Sequence, residues 1–174
     1  MNKKFLIGIG LLVIGLAFVI PTGFASAEPE TVRQHFTANE CVYMITPPEN
    51  IVSGKTIHMT GQVNRNDVYS NDPSIFPDAI NTAVLDIFLN LQTMKVNFTS
   101  TTTIEIPGSE GVFEGRGVGR VNLITGSTSG IGIFHGTGEF EGQTLWMKLS
   151  PGDFSQCEEG AFDATHWDAY LISP

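Results

Sequence analysis

Basic residues are scarce in this chain: nine of its 174 residues are Lys or Arg, whereas 18 are Asp or Glu. Lys3 and Lys4 precede Ala27, so the chain after Ala27 has seven basic and 18 acidic residues and a net charge of −11. That charge repels nucleic acid and anionic lipid head groups, which we therefore exclude as partners. The acidic balance by itself identifies no partner.

Several chemical motifs are also missing. The four histidines form no His-x-x-x-His pair, no Cys-x-x-Cys occurs, and no Gly-x-Ser-x-Gly marks a serine nucleophile after Ala27. The Gly-rich part of the chain is not followed by Lys-Ser or Lys-Thr, which argues against a phosphate-binding loop. We therefore expect no metal and no cofactor, with surface or structural roles for His35, His58, His135 and His166.

The first 27 residues have the pattern of a secretory signal peptide. They begin with basic residues, continue with an uncharged apolar run from Phe5 to Ile20, and end on Ala25-Ser26-Ala27, which signal peptidase accepts. We expect cleavage, a mature chain that begins near Glu28, and secretion with no stable membrane association. The alternative is an uncleaved anchor, although the run is shorter than the roughly 20 apolar residues that a bilayer requires.

Only two cysteines are present, Cys41 and Cys157. In an oxidising exterior such a pair predicts a disulfide, and the alternative is a pair of free buried thiols. The chain-entropy model assigns about 4 to 5 kcal/mol to a loop of this length, as an upper guide. Because bridged cysteines have Cα atoms within about 7 Å, the bond would bring the start of the domain beside its end.

Apolar and polar residues alternate along the rest of the chain, which predicts strands. The parity of the apolar positions changes between Leu91 and Met94, so a bulge or tight turn lies there. We predict that residues 28–174 form a single all-β domain, a closed or nearly closed antiparallel barrel of about eight strands preceded by a signal-peptide helix, with a sandwich as the alternative. The polar segment from Asn64 to Asn81 is predicted to be a long surface loop.

Eleven of the 19 glycines lie between Gly108 and Gly142, which indicates bends and closely approaching backbones. The stretch Gly136-Thr137-Gly138-Glu139-Phe140-Glu141-Gly142 resembles the Gly-Thr-Gly-x-Phe-x-Gly stretch of the dirigent and allene oxide cyclase barrels. That resemblance implies an eight-stranded antiparallel barrel that holds an apolar small molecule and steers its reaction or cyclises it. No catalytic residue of those families matches a position here, so the resemblance supports the fold more than an activity.

Two sets of residues are candidates for acid–base chemistry. His166, Asp168 and Tyr170 alternate along one strand, and a carboxylate beside an imidazole orients a general acid or base. The alternative is that they form the wet outer face of that strand. Glu139 and Glu141, and also Glu114, form the second set, because burial in an apolar lumen would raise the pKa of such a carboxylate and make it a base. Their alternative is solvent exposure.

The leading functional hypothesis is a secreted noncatalytic module that binds a small apolar or amphipathic molecule in a β-barrel. One alternative is an isomerase, a cyclase or a stereochemical guide, with Glu139, Glu141 or the His166 face transferring protons. The other is a structural or protein-interaction barrel with a filled interior. A lumen too small for a ligand would contradict binding and catalysis, whereas a pocket with a buried, partnered carboxylate or histidine would favour the enzyme.

Overall fold

The protein is a barrel of antiparallel strands, seen in a computed structural model that describes residues 31–174. The predicted signal peptide, residues 1–27, lies outside the described residues. The strands are β1 Val32–Thr46, β2 Glu49–Ser53, β3 Thr56–Ser70, β4 Ala79–Asn90, β5 Lys95–Glu105, β6 Val112–Asn122, β7 Ser127–Gly136, β8 Thr144–Pro151 and β9 Asp163–Ser173. Two short 3₁₀ turns, Gly138–Phe140 and Phe154–Gln156, are the only helical segments between residues 31 and 174.

Eight of these strands close into a ring. β1 pairs with β9 on one side and with β3 on the other, and each strand from β3 to β9 pairs with the next in sequence order. β2 lies outside the ring and pairs with the first residues of β3. The predicted antiparallel barrel of about eight strands is confirmed, and the chain does not form the alternative sandwich. Closure pairs both edges of the barrel strands, so the free edge in the described sheet belongs to β2.

The predicted surface loop from Asn64 to Asn81 is wrong over most of its length. β3 continues to Ser70 and β4 begins at Ala79, so only residues 71–78 connect the two strands. Phe76 in this connection is 1% exposed and packs into the end of the barrel. The asparagines of the segment are typical of turns, but here those at positions 64, 66 and 81 are buried on strands.

Local backbone geometry explains two breaks in the alternation. Residues 91–94 turn from β4 into β5, with Met94 at a φ of 51°, so the predicted change of parity is produced by a tight turn. In β3, the register against β4 shifts between Thr60 and Gln62, around Gly61 at a φ of 73°. This bulge reverses which parity faces inward, and Gln62 thereby becomes a buried position.

The packed core fills one half of the barrel, at the end where β3 meets β4, β5 meets β6 and β7 meets β8. Trp167, Ile104 and Leu145 are fully buried there, and the ring of Phe76 stacks on that of Phe36 at a centroid distance of 4.8 Å. The core includes Phe36, Ala38, Val68, Phe76, Ala79, Ile104, Ile106, Phe113, Phe134, Leu145, Met147, Trp167, Ala169 and Leu171. Burial of this apolar surface is the main stabilising term for the fold.

The disulfide between Cys41 and Cys157 is present, with the two Cα atoms 5.4 Å apart. Cys41 faces outward from β1, whereas Cys157 lies in the connection between β8 and β9, residues 152–162. This connection lies over β1, where the N–H of Phe162 donates to the carbonyl of Val42 at 3.0 Å. Cys41 is consequently fully buried on the outer face of the barrel.

Candidate functional site

The half of the barrel opposite the packed core contains a cavity of about 180 Å³ that is partly open to solvent. Much of its wall is apolar, with Ala83 and Ile87 on β4, Phe98 on β5, and Met147 and Leu149 on β8. An apolar cavity of about 150 Å³ in another protein holds benzene. The cavity therefore has room for one ring and a small substituent.

A single glutamate, Glu40, marks the boundary between the packed half and the cavity. Successive inward positions of β1 place Phe36 and Ala38 in the core, then Glu40 and Val42 on the cavity wall. The side chain of Glu40 is 4% exposed. A carboxyl group is thus held at the floor of the cavity, directly above packed apolar side chains.

Four donors from the protein satisfy both oxygens of Glu40. Oε1 accepts from Nδ2 of Asn66 at 2.7 Å and from Nδ2 of Asn81 at 2.5 Å. Oε2 accepts from Oγ1 of Thr165 at 2.5 Å and from Nε1 of Trp167 at 3.0 Å. An ionised carboxylate has about four acceptor positions and no donor, so four donors around it match the charged form.

Strand register brings these partners together. Thr165 lies directly opposite Glu40 in the pairing of β1 with β9, and Asn66 lies directly opposite Asn81 in the pairing of β3 with β4. Because β3 borders β1 in the closed ring, the two amides meet the carboxylate from one side. Trp167 reaches it from the core side. The cluster therefore depends on closure of the barrel.

Two acceptors at the cavity floor have no partner. Oδ1 of Asn66 and Oδ1 of Asn81 are buried and accept no hydrogen bond within the described part of the chain. Both residues line the cavity, and their exposed fractions are 5% and 7%. Buried polar atoms are nearly always hydrogen-bonded, so these two oxygens are exceptions that lack a partner in the described part of the chain.

A second carboxylate, Asp163, lies on the wall of the same cavity. Burial raises the pKa of Asp163 above its ordinary value, and the nearby charge of Glu40 raises it further, although a hydrogen bond from the N–H of Ala164 acts in the opposite direction. The residues that line the cavity include no Lys, Arg or His. The polar part of the cavity is therefore acidic and rich in acceptors.

His166, Asp168 and Tyr170 share a face of β9 as expected, and that face is the outer wall of the barrel. Nδ1 of His166 lies 3.2 Å from Oδ1 of Asn39, whereas Oδ1 of Asp168 lies 2.7 Å from Nε2 of His35. Tyr170 is exposed. The imidazole beside Asp168 is thus that of His35, and none of these residues lines the cavity.

The glutamates of the Gly-rich stretch are also placed away from the cavity. Glu139 and Glu141 are exposed between β7 and β8, where Oε1 of Glu139 accepts from the backbone N–H of Glu110 at 2.9 Å. Glu114 is exposed on β6.

Glu40, the carboxylate at the cavity floor, was not among the residues that sequence reasoning selected. A signal for a polar lumen was present in the sequence, because Gln62, Asn64 and Asn66 alternate with the intervening residues and share one face of β3.

Comparisons with known protein families, curated proteins and solved structures found no match for this chain. Residues 31–174 contain no helix with the length and apolar character needed to span a membrane. Over the same range, no group of three or more His, Cys, Asp or Glu side chains is arranged to hold a metal ion.

Proposed function

We propose that the protein is a secreted, noncatalytic binding module whose barrel holds one small amphipathic molecule. The observation that carries this proposal is the division of the lumen: one half is packed solid, and the other keeps a cavity of about 180 Å³. Small-molecule sites are typically apolar cavities with a few placed polar groups, which is the composition of this one. A structural barrel filled by its own side chains would leave no such space.

An isomerase or cyclase is the second candidate, and Glu40 is the observation in its favour. A general base must have a free acceptor position within hydrogen-bond reach of the proton that it removes. All four acceptor positions of Glu40 are occupied by Asn66, Asn81, Thr165 and Trp167. Glu40 is therefore better suited to fix the polarity of the site than to exchange protons, which favours binding over catalysis.

Two further observations support parts of the proposal. The bond between Cys41 and Cys157 supports export, because disulfides persist in oxidising compartments. The closed ring of eight antiparallel strands is the architecture that a relation to the dirigent and allene oxide cyclase barrels implies. We therefore propose that relation as well, since those barrels hold a small molecule.

The test is a titration of the protein with toluene, followed by the methyl resonances of Ala83 and Met147, which line the cavity. We expect saturable shifts of both. Ala83→Leu places extra carbon atoms in the cavity and should weaken toluene binding about tenfold or more. Thr82→Leu, at the neighbouring outward position, is the control and should bind toluene as the wild type does. Equal affinity for toluene in both variants would refute the proposal, and so would the absence of binding by toluene and by its hydroxyl and amine analogues.

A further inference from the structure

We infer that the molecule held in the cavity is a small organic cation, a protonated amine on a single apolar ring, with its N–H groups bonded to Asn66 and Asn81. This inference rests on the proposed function, since it specifies the chemistry of the ligand for the same cavity. Three features lead to it: the charge of the cavity, the unpaired acceptors at its floor and its size.

The charge of the cavity is uncompensated. Glu40 and Asp163 both line it, and its wall carries no cationic side chain. The salt bridges among the described residues, His35 with Asp168 and His58 with Asp86, lie elsewhere. A carboxylate in a low-dielectric interior attracts an opposite charge more strongly than it does in water. A ligand that carries a positive charge therefore gains more from this cavity than a neutral ligand of the same shape.

The unpaired acceptors require a ligand with several donors. The Nδ2 groups of Asn66 and Asn81 are engaged by Glu40, which leaves the Oδ1 end of each amide for another partner. An amide oxygen accepts hydrogen bonds and cannot donate them. An anion or an ether would leave both oxygens unpaired, and a hydroxyl group has one hydrogen to offer. An ammonium group has three, enough for both oxygens at once.

The size of the cavity limits the rest of the molecule. A volume of about 180 Å³ accommodates one ring with a short substituent. The apolar wall includes the rings of Phe98 and Phe134. A ring that contacts this wall would have its charged substituent at the polar floor, beside the cluster around Glu40.

The experiment compares three probes of the same shape: toluene, benzyl alcohol and benzylamine, the last protonated at pH 7. Dissociation constants are measured by calorimetry and by shifts of the indole N–H of Trp167, which donates to Glu40. Trp146, on the outer face of β8, is the internal reference. We expect benzylamine to bind about tenfold or more tightly than either neutral probe and to shift the signal of Trp167 without shifting that of Trp146.

The outcomes separate this inference from the proposed function. If toluene binds and benzylamine binds no more tightly, the amine is refuted while the binding function stands. If none of the three probes binds, the proposed function fails as well.

Two variants remove charge from the cavity. Glu40→Gln should abolish the preference for benzylamine over benzyl alcohol. Asp163→Asn retains the hydrogen-bonded cluster and should reduce the same preference, which provides a test even if Glu40→Gln does not fold. An unchanged preference in Asp163→Asn would refute a role for the charge of the wall, and the inference with it.

Discussion

Replacing Thr165 with valine tests whether Glu40 is a buried charge held by hydrogen bonds. Valine keeps the branched shape and the strand preference of threonine and removes only the hydroxyl group that donates to Oε2 of Glu40 at 2.5 Å. Hydrogen bonds to charged groups contribute about 1.5–3 kcal/mol. We therefore expect Thr165→Val to lower the free energy of unfolding by about 1.5–3 kcal/mol.

Thr102→Val is the matched control. Thr102 and Thr165 are equally enclosed, at 4% and 6% exposed, but the hydroxyl of Thr102 donates to the neutral Oγ of Ser100 at 3.1 Å. A neutral bond contributes about 0.5–1.5 kcal/mol, so this variant should lose about half as much stability. Both variants replace a hydroxyl group with a methyl group. The difference between their losses of stability, about 1 kcal/mol or more, therefore reports the extra strength of a hydrogen bond to the charged Glu40.

The assay is equilibrium unfolding in urea at pH 7, with the disulfide intact, monitored by circular dichroism. For a chain of this size the slope is about 1–3 kcal/mol per molar urea, so Thr165→Val should lower the midpoint by roughly 1 M. Equal midpoints for the two variants would refute the view that Glu40 is ionised and held by its four donors. A change of slope in either variant would be evaluated separately, since it reports on the unfolded state.

Two further predictions concern Asp163 and the disulfide. The pKa of Asp163 in the folded protein is raised above its ordinary value of 3.8. As pH rises from 3.8 through the raised pKa, the unfolded chain therefore loses this proton more readily than the folded protein does, and the free energy of unfolding falls. Asp163→Asn should therefore unfold at higher urea concentration than the wild type at pH 7 but not below about pH 3.8, and a constant difference at all pH values would contradict the assignment. Replacing both Cys41 and Cys157 with serine should lower the free energy of unfolding by up to about 4–5 kcal/mol and expose residues 152–162 to proteases, whereas unchanged stability and protease resistance would show that the disulfide does not hold this connection.

The barrel could be predicted from the sequence because apolar and polar residues alternate along most of its strands. The alternation in β4 and β5, and the change of parity between Leu91 and Met94, depend on local sequence alone. The pairing of Cys41 with Cys157 was predicted from the number of cysteines and the expected oxidising compartment, and it required the ends of the domain to meet. These features are set by short segments, which is why they were predictable.

The site was not predictable in the same way. The four partners of Glu40 are 26, 41, 125 and 127 residues away in sequence, so no local pattern connects them. Asn64 and Asn66 suggested a loop because asparagine is common in turns, and strand prediction assumes that inward positions are apolar. Here several inward positions of one half are polar, among them Asn64 and Asn66, and only closure of the barrel turns these side chains toward Glu40 and one another.

The two halves of the barrel differ in how they tolerate change. At Ala38, which is fully buried in the packed half, a larger side chain has no free volume to occupy. At Ala83, which faces the void, the same enlargement meets open space. Enlarging side chains on the cavity wall could thus remove the cavity while the barrel is kept. An unfilled cavity with polar groups at its floor is therefore not required for the barrel to fold.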